Sequence, residues 1–357
     1  MGKMGVSHLA IINAQPGVRL TAICDSSKFV IGAVAKQMDV TGYSDYERML
    51  EKADLDAVII ATPSKLHGPM VARALDKGLH VFCEKPFCMD AEEGAALAER
   101  ARQLNRVAQV GYHNRFVGSF REVKRLISAG AIGQLTHIHA EAAGAVVLQP
   151  QSGGWRSQRE QGGGCLYDYA AHPLNLVNWL VGVPATVDSA ILSSIFSADT
   201  DDAVYGTFRY ENGPSVQLAV NWSDPSVRKM TTRLTIWGTA GRLYADRQEI
   251  QLFLRDDLGP PPQGYTTGWN VVYTTELTEP VGFYLRGEEY SAQLESWVDA
   301  IQNGRTDVEN SFASAVETDL TIAMIVDRAQ SSGPDERGPM VTAKSPGILK
   351  KLIGLRK

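Results

Sequence analysis

The chain is poor in cysteine: it carries only Cys24, Cys83, Cys88 and Cys165 in 357 residues. They are scattered, and none stands in a C-x-x-C pair. That argues against a disulfide framework and a cysteine-rich zinc site, and makes free thiols in a reducing compartment the expectation. No apolar run approaches the ~18 residues that a membrane-crossing helix needs. Basic charge is not in excess: 35 Lys and Arg stand against 40 Asp and Glu, a net −5, which is a poor basis for general nucleic-acid binding. The histidines come with no acidic or cysteine ligand spacing, so no metal site is expected. There is no internal repeat and no low-complexity tract. With 44% hydrophobic and 21% charged residues the composition is that of a globular protein, not a disordered one. At roughly 150 residues per domain the length suggests two domains.

The first 112 residues alternate strand-like and helix-like segments. Helical spacing runs over 3–14 and ends at Pro16-Gly17. RLTAIC (19–24) reads as a buried strand ending at Asp25, followed by a helix over 28–38. Ser44 is the expected cap of the next helix, with Glu47 completing a capping box. DAVIIA (56–61), LHVFCE (79–84) and VAQVGY (107–112) read as parallel-sheet strands. Between them lie a helix from about Ser64 to Lys77 and one capped by Asp90. This rhythm predicts βαβ units with helices on both faces of a parallel sheet. After about residue 115 the pattern changes. A helix over 117–130 leads to a long strand at 134–145, and Gly162-Gly163-Gly164 opens a helix to about 181. From 186 to 276 strand follows strand, ending with VVYTTE, which suggests an antiparallel sheet. Two helices, at 287–303 and 310–330, close the domain. The expected division is a dinucleotide-binding domain over 1–115, an α+β domain over 116–330, and a basic tail over 331–357. The last twenty residues carry five basic and no acidic side chains. The segment 347–357 has amphipathic helical spacing, and docking on its own domain or fraying is preferred over a membrane contact.

The chain opens Met1-Gly2-Lys3-Met4-Gly5. This reads as the last G-x-x-G of a G-x-G-x-x-G fingerprint, whose glycines allow a tight turn and close approach of the backbone to a pyrophosphate. Gly2, Lys3, Met4 and Gly5 are therefore candidate cofactor contacts. The strand and first glycine that should precede them are missing, so a strand of roughly ten residues is expected ahead of Met1. No leader peptide is visible and the cytoplasm is the expected location, but a missing start would also hide a leader. Asp25 lies twenty residues after Gly5 at a strand end, where a carboxylate accepts from a ribose 2′-OH. It favours NAD over NADP because it repels a 2′-phosphate. Ser26 follows it, with no arginine, and NADP stays open as an alternative. Thr62 and Pro63 end the next strand, where the crevice at the switch point would lie, and His67 is placed along that crevice.

Glu84-Lys85-Pro86 ends another parallel strand, the position at which doubly wound sheets bind ligands. Far downstream come Asp168 and His172, four apart and so on one face of a regular helix. A histidine is suited to take a proton from a hydroxyl near neutral pH, a carboxylate orients it, and a lysine donates to the substrate oxygen. These parts suit oxidation of a secondary alcohol with hydride passing to a nicotinamide.

Together these motifs resemble the Gfo/Idh/MocA oxidoreductases, the glucose–fructose oxidoreductase and inositol dehydrogenase family. The resemblance runs from Gly2 to about residue 330. It rests on Ala61-Thr62-Pro63 with His67, Glu84-Lys85-Pro86, GYHNRF at 111–116, Trp155-Arg156, and GGG-x-L-x-D-x-x-x-H at 162–172. It implies a Rossmann domain followed by an open-faced antiparallel sheet whose outer surface makes a homodimer or homotetramer. It implies Lys85 at the reacting hydroxyl and the nicotinamide side, with Glu84 beside it on the cofactor. His172 would be the acid/base, and Asp168 its partner or a substrate contact. Arg115 and Trp155 would be further substrate contacts, with packing at the domain junction as the alternative for both. The Lys85–Pro86 bond is often cis in the family. An aspartate often stands three residues after the histidine, where this chain has Asn175. The implied activity is NAD-dependent oxidation of a sugar, cyclitol or related polyol, or the reverse reduction. The competing reading is a catalytically silent nucleotide- or sugar-binding regulator of the same fold.

Overall fold

The structure is a computed structural model that describes residues 2–150, 153–257, 259–331 and 339–341. The amphipathic reading of 347–357 lies outside the described residues.

The first half alternates helices and parallel strands: α1 (Lys3–Asn13), β1 (Ala22–Cys24), α2 (Lys28–Met38), β2 (Thr41–Tyr43), α3 (Tyr46–Lys52), β3 (Ala57–Ile60), α4 (His67–Asp76), β4 (His80–Cys83), α5 (Ala91–Gln103) and β5 (Ala108–Val110). The strands form two parallel sheets, β1-β2 and β3-β4-β5, with no ladder joining β1 to β3. Among the described residues no strand precedes α1. Helix starts follow side-chain acceptors. Asp90 caps α5 by accepting from the Glu92 N–H at 2.9 Å. The cap of α3 is Asp45, not the expected Ser44: its carboxylate accepts from the Arg48 N–H at 2.7 Å. Asp45 reaches the third N–H of the turn directly, and that position can be served only once.

The second half holds α6 (Gly118–Ser128), β6 (Leu135–Ala143), α7 (Ala171–Val181), β7 (Thr186–Ser193), β8 (Ala203–Arg209), β9 (Ser215–Asn221), β10 (Thr231–Gly238), β11 (Gly241–Ala245), β12 (Glu249–Leu254), β13 (Gly268–Tyr273), α8 (Thr274–Leu277), α9 (Glu288–Gln302) and α10 (Phe312–Ser331). VVYTTE is thus split: the strand ends at Tyr273 and Thr274 begins the short α8. One eight-stranded sheet runs β13-β12-β11-β10-β6-β9-β8-β7. It is mixed: β6 and β9 are parallel and the other neighbours antiparallel. A parallel pair needs a long crossover; between β6 and β9 the chain makes α7, β7 and β8. Burial alternates along β6 and β12, so one face carries Ile138, Ala140, Ile250 and Leu252 into the core. Helices α6, α7 and α10 pack against this sheet. The last two helices also return to the first half: α10 packs on α5 and α9 on α1. Phe312 of α10 packs on Phe87 with ring centroids 4.1 Å apart.

Candidate active site

Strand β4 ends at Cys83, and Glu84 and Lys85 follow at its C-terminal end. The Lys85–Pro86 bond is cis. Asp168 and His172 arrive from the second half, at the start of α7. The entry to α7 is a π-turn over Leu166–Ala170, not regular α-helix. A π-turn carries an extra residue, so the expected four-residue alignment of Asp168 with His172 is lost. The Asp168 carboxylate bonds elsewhere. Lys85 Nζ donates to Asp168 Oδ1 at 2.7 Å and to the Asp168 carbonyl at 2.6 Å. Arg156 Nε donates to Asp168 Oδ2 at 2.8 Å. One carboxylate therefore serves two cations. Burial pushes the Asp168 pKa up, but Lys85 and Arg156 outweigh it and hold the group at about 2. The Arg156 guanidinium lies over the Trp155 ring, 4.8 Å from its centroid.

His172 is buried at 4% exposure. Burial, helped by the nearby charges of Lys85 and Arg247, pushes its pKa well below the ordinary value. The ring is neutral at pH 7 and able to accept a proton. Its Nδ1 makes no hydrogen bond among the described residues. The ring meets His113 edge-on at 4.9 Å, and His113 stacks on Tyr290 at 4.4 Å. Arg247 pairs with Glu289, next in sequence to Tyr290.

In the first half, α1 opens on Gly2 with no side-chain cap and no acidic residue in its first turn. A Cβ at Gly2 would meet nothing within 4 Å. The first-turn N–H groups at Lys3, Met4 and Gly5 suit a phosphate. Asp25 follows β1, and its Oδ1 accepts from the Ser27 N–H at 2.8 Å across Ser26. Thr62 and Pro63 follow β3.

Three expected contacts are buried and engaged with the protein itself. His67 is 1% exposed, with Nδ1 2.7 Å from the Pro86 carbonyl and Nε2 3.0 Å from the Thr62 carbonyl. Its ring bridges the Thr62 and Pro86 carbonyls, which follow β3 and β4, and is buried there. Glu84 is buried, and its Oε1 lies 2.6 Å from His8 Nε2 of α1. Burial raises its pKa, but His8 and Lys85 lower it further. Its Oε1 thus ties β4 to α1, and its Oε2 accepts from the Lys85 N–H at 3.2 Å. Arg115 is also buried. Its guanidinium donates to Asn175 Oδ1 at 2.8 Å and to the Glu309 carbonyl at 3.0 Å. It packs the domain junction, and Asn175 serves there as its acceptor.

Arg156 stands in the Trp155-Arg156 motif but was not among the expected substrate contacts, and the sequence pointed to no role for His113, Arg247 or Tyr290. His113 lay inside the GYHNRF motif. Arg247 and Tyr290 carry no local signal, because only the fold brings them near His172.

Two family profiles match the chain: an oxidoreductase family with an NAD-binding Rossmann fold over residues 1–112, and the GFO/IDH/MocA C-terminal domain over residues 120–244. The chain is 24% identical to scyllo-inositol 2-dehydrogenase (NAD(+)) of Bacillus subtilis over 333 residues, covering 90% of each. It is 23% identical to inositol 2-dehydrogenase of Rhizobium meliloti, covering 93% of this chain and 96% of that one. Among solved structures, levoglucosan dehydrogenase in complex with NADH and levoglucosan superposes with a TM-score of 0.81 at 24% identity, covering 93% of this chain and 96% of that one.

Proposed function

Because the chain belongs to the Gfo/Idh/MocA family of NAD-binding oxidoreductases, we propose that it oxidises a secondary hydroxyl of a sugar, cyclitol or related polyol, or catalyses the reverse reduction. The carrying observation is the Lys85 ammonium held on the Asp168 carboxylate at 2.7 Å beside a buried histidine kept neutral. Lys85 polarises the hydroxyl and steadies negative charge on its oxygen. His172 accepts the proton, and its neutral state is the competent one. Asp168 acts by fixing Lys85 and Arg156, not by orienting His172. Trp155, under Arg156, forms a wall for the substrate. When bound, NAD supplies the hydride acceptor. Gly2, Lys3, Met4 and Gly5 would hold its pyrophosphate, Asp25 and Ser26 its adenosine ribose, and Thr62 and Pro63 would line its crevice. The Asp25 carboxylate selects against a 2′-phosphate, so NAD is preferred to NADP. The two relatives named as inositol dehydrogenases support a cyclitol or sugar substrate.

Cofactor reduction measured across a panel of polyols tests the reading. Turnover with at least one polyol is expected, and Lys85→Ala should lower it by about 10²–10³-fold with the fold retained. Unchanged turnover in that variant would remove Lys85 from the chemistry. Binding of NAD without turnover on any polyol would favour the silent regulator. The outer sheet face exposes Ile191, Tyr205, Trp269, Val271 and Tyr273, and the same reading uses it for a homodimer or homotetramer. A monomer mass by light scattering at micromolar concentration would overturn that part.

A further inference from the structure

Asp199-Thr200-Asp201-Asp202 leads into β8, and each of its three carboxylates grips a different segment. Asp199 Oδ2 accepts from the Arg159 N–H at 3.1 Å, in the loop that follows Arg156. Asp202, fully buried, accepts from the N–H groups of Ile195, Phe196 and Ser197 at 2.6–2.8 Å and from the Trp222 indole at 2.7 Å. Asp201 reaches the catalytic helix. Its Oδ2 accepts from the Leu166 N–H at 2.7 Å, and its carbonyl accepts from the Cys165 N–H at 2.8 Å. It is 3% exposed.

The place it grips is soft. Three glycines precede Cys165, and Gly164 has φ +112°, a conformation that resists any other residue. A Cβ on Gly164 would sit 2.7 Å from Asp201 Oδ1, so glycine there is what lets the carboxylate approach. Beyond this entry Leu166 begins the π-turn, and Asp168 comes two residues later. The first N–H groups of a helix have no partner in the helix itself, and a carboxylate is a strong acceptor for them.

We infer that Asp201 is a positioning residue: by bonding the Leu166 N–H across the glycine-rich entry, it holds Asp168 where one carboxylate meets both Lys85 and Arg156. Its consequence for turnover rests on the oxidoreductase reading; its consequence for the Lys85–Asp168 pair does not. Keeping a carboxylate here is costly, because burial raises the Asp201 pKa to about 6 despite the Leu166 N–H. A neutral apolar residue would avoid that cost but could not hold the turn.

The test compares wild type, Asp201→Asn and Asp201→Ala by steady-state kinetics and by the rate of amine labelling at Lys85, read by mass spectrometry. Lys124, which donates to the Trp179 carbonyl at 2.6 Å, is the internal reference. Asparagine keeps an oxygen acceptor and should rescue both readouts to near wild type. Alanine should lower kcat about tenfold, the size of one lost cap, with KM for NAD unchanged. It should also label Lys85 several-fold faster while Lys124 keeps its rate. Wild-type kcat and Lys85 labelling in Asp201→Ala would overturn the inference. So would equal losses in Ala and Asn with Lys85 labelling unmoved. If Asp201→Ala does not fold, Asp201→Ser, whose hydroxyl is too short to reach, takes its place with the same expectations. If the wild type turns over no polyol, the oxidoreductase reading falls, and Lys85 labelling alone decides the positioning role.

Discussion

The Asp168 carboxylate accepts from Lys85 on one oxygen and from Arg156 on the other, and its pKa of about 2 lies below the ordinary 3.8. A carboxyl depressed on folding contributes stability above its unfolded pKa and loses it as pH falls through the folded one. Here the contribution is about 2 kcal/mol, present above roughly pH 4 and lost toward pH 2. Asp201 behaves in the opposite sense. Its raised pKa of about 6 means the folded state holds a proton that the unfolded state has released, so stability falls as pH rises from about 4 to about 6. Urea unfolding at stepped pH should therefore show the gap between wild type and Asp168→Asn narrowing below pH 4. A gap constant from pH 3 to pH 7 would contradict the ion-pair account. Lys85, Asp168 and His172 stand out in the sequence by residue type, and the structure brings Lys85 onto Asp168 at 2.7 Å, though the four-residue spacing to His172 does not survive the π-turn. Direction was not legible. His113 and Arg115 stand two apart in one motif, yet one faces His172 and the other the domain junction. They lie on the tight 3₁₀ turn His113–Phe116, where three residues complete a turn and residues two apart diverge.

Elements with strong local signals matched their segments: the long alternating strands, and α5 with its Asp90 cap. Asp90→Ala should cost about 1 kcal/mol in urea unfolding, because it leaves a first-turn N–H without its acceptor. Strand β2 was illegible. Its three residues, Thr41-Gly42-Tyr43, have no apolar run and no fully buried side chain. The same region has little support in the structure. β1 and β2 form a two-stranded sheet of their own, and α2 buries no residue completely and leaves Phe29 84% exposed. Small isolated sheets are marginal in water. Amide hydrogen exchange over 22–43 should be faster than over β3, β4 and β5 under native conditions. Equal protection in the two sheets would refute this ranking.

At the scale of the molecule, a Rossmann-like part followed by a second part reads in the sequence as a change of rhythm, but the return of the last helices does not. Periodicity marks α9 and α10 as amphipathic without saying which surface they cover. In the structure α10 lies against α5, α7 and β7 at once. Phe312→Ala should remove about 3–5 kcal/mol, because the ring is buried against Phe87 in a shared core. The melt should stay a single transition, and a split in which only one half shifts would show that α10 does not couple them. The Asp319 carboxylate of the same helix accepts from the Cys88 N–H at 3.0 Å, just beyond the Lys85–Pro86 bond. This placement orders events on the ribosome. The segment around Phe87 emerges early, yet the residues that cover it are among the last of the described chain to be made. A nascent first half must wait, partly uncovered, until α10 has been made, and the loop after Lys85 acquires its support from Phe312 and Asp319 only then.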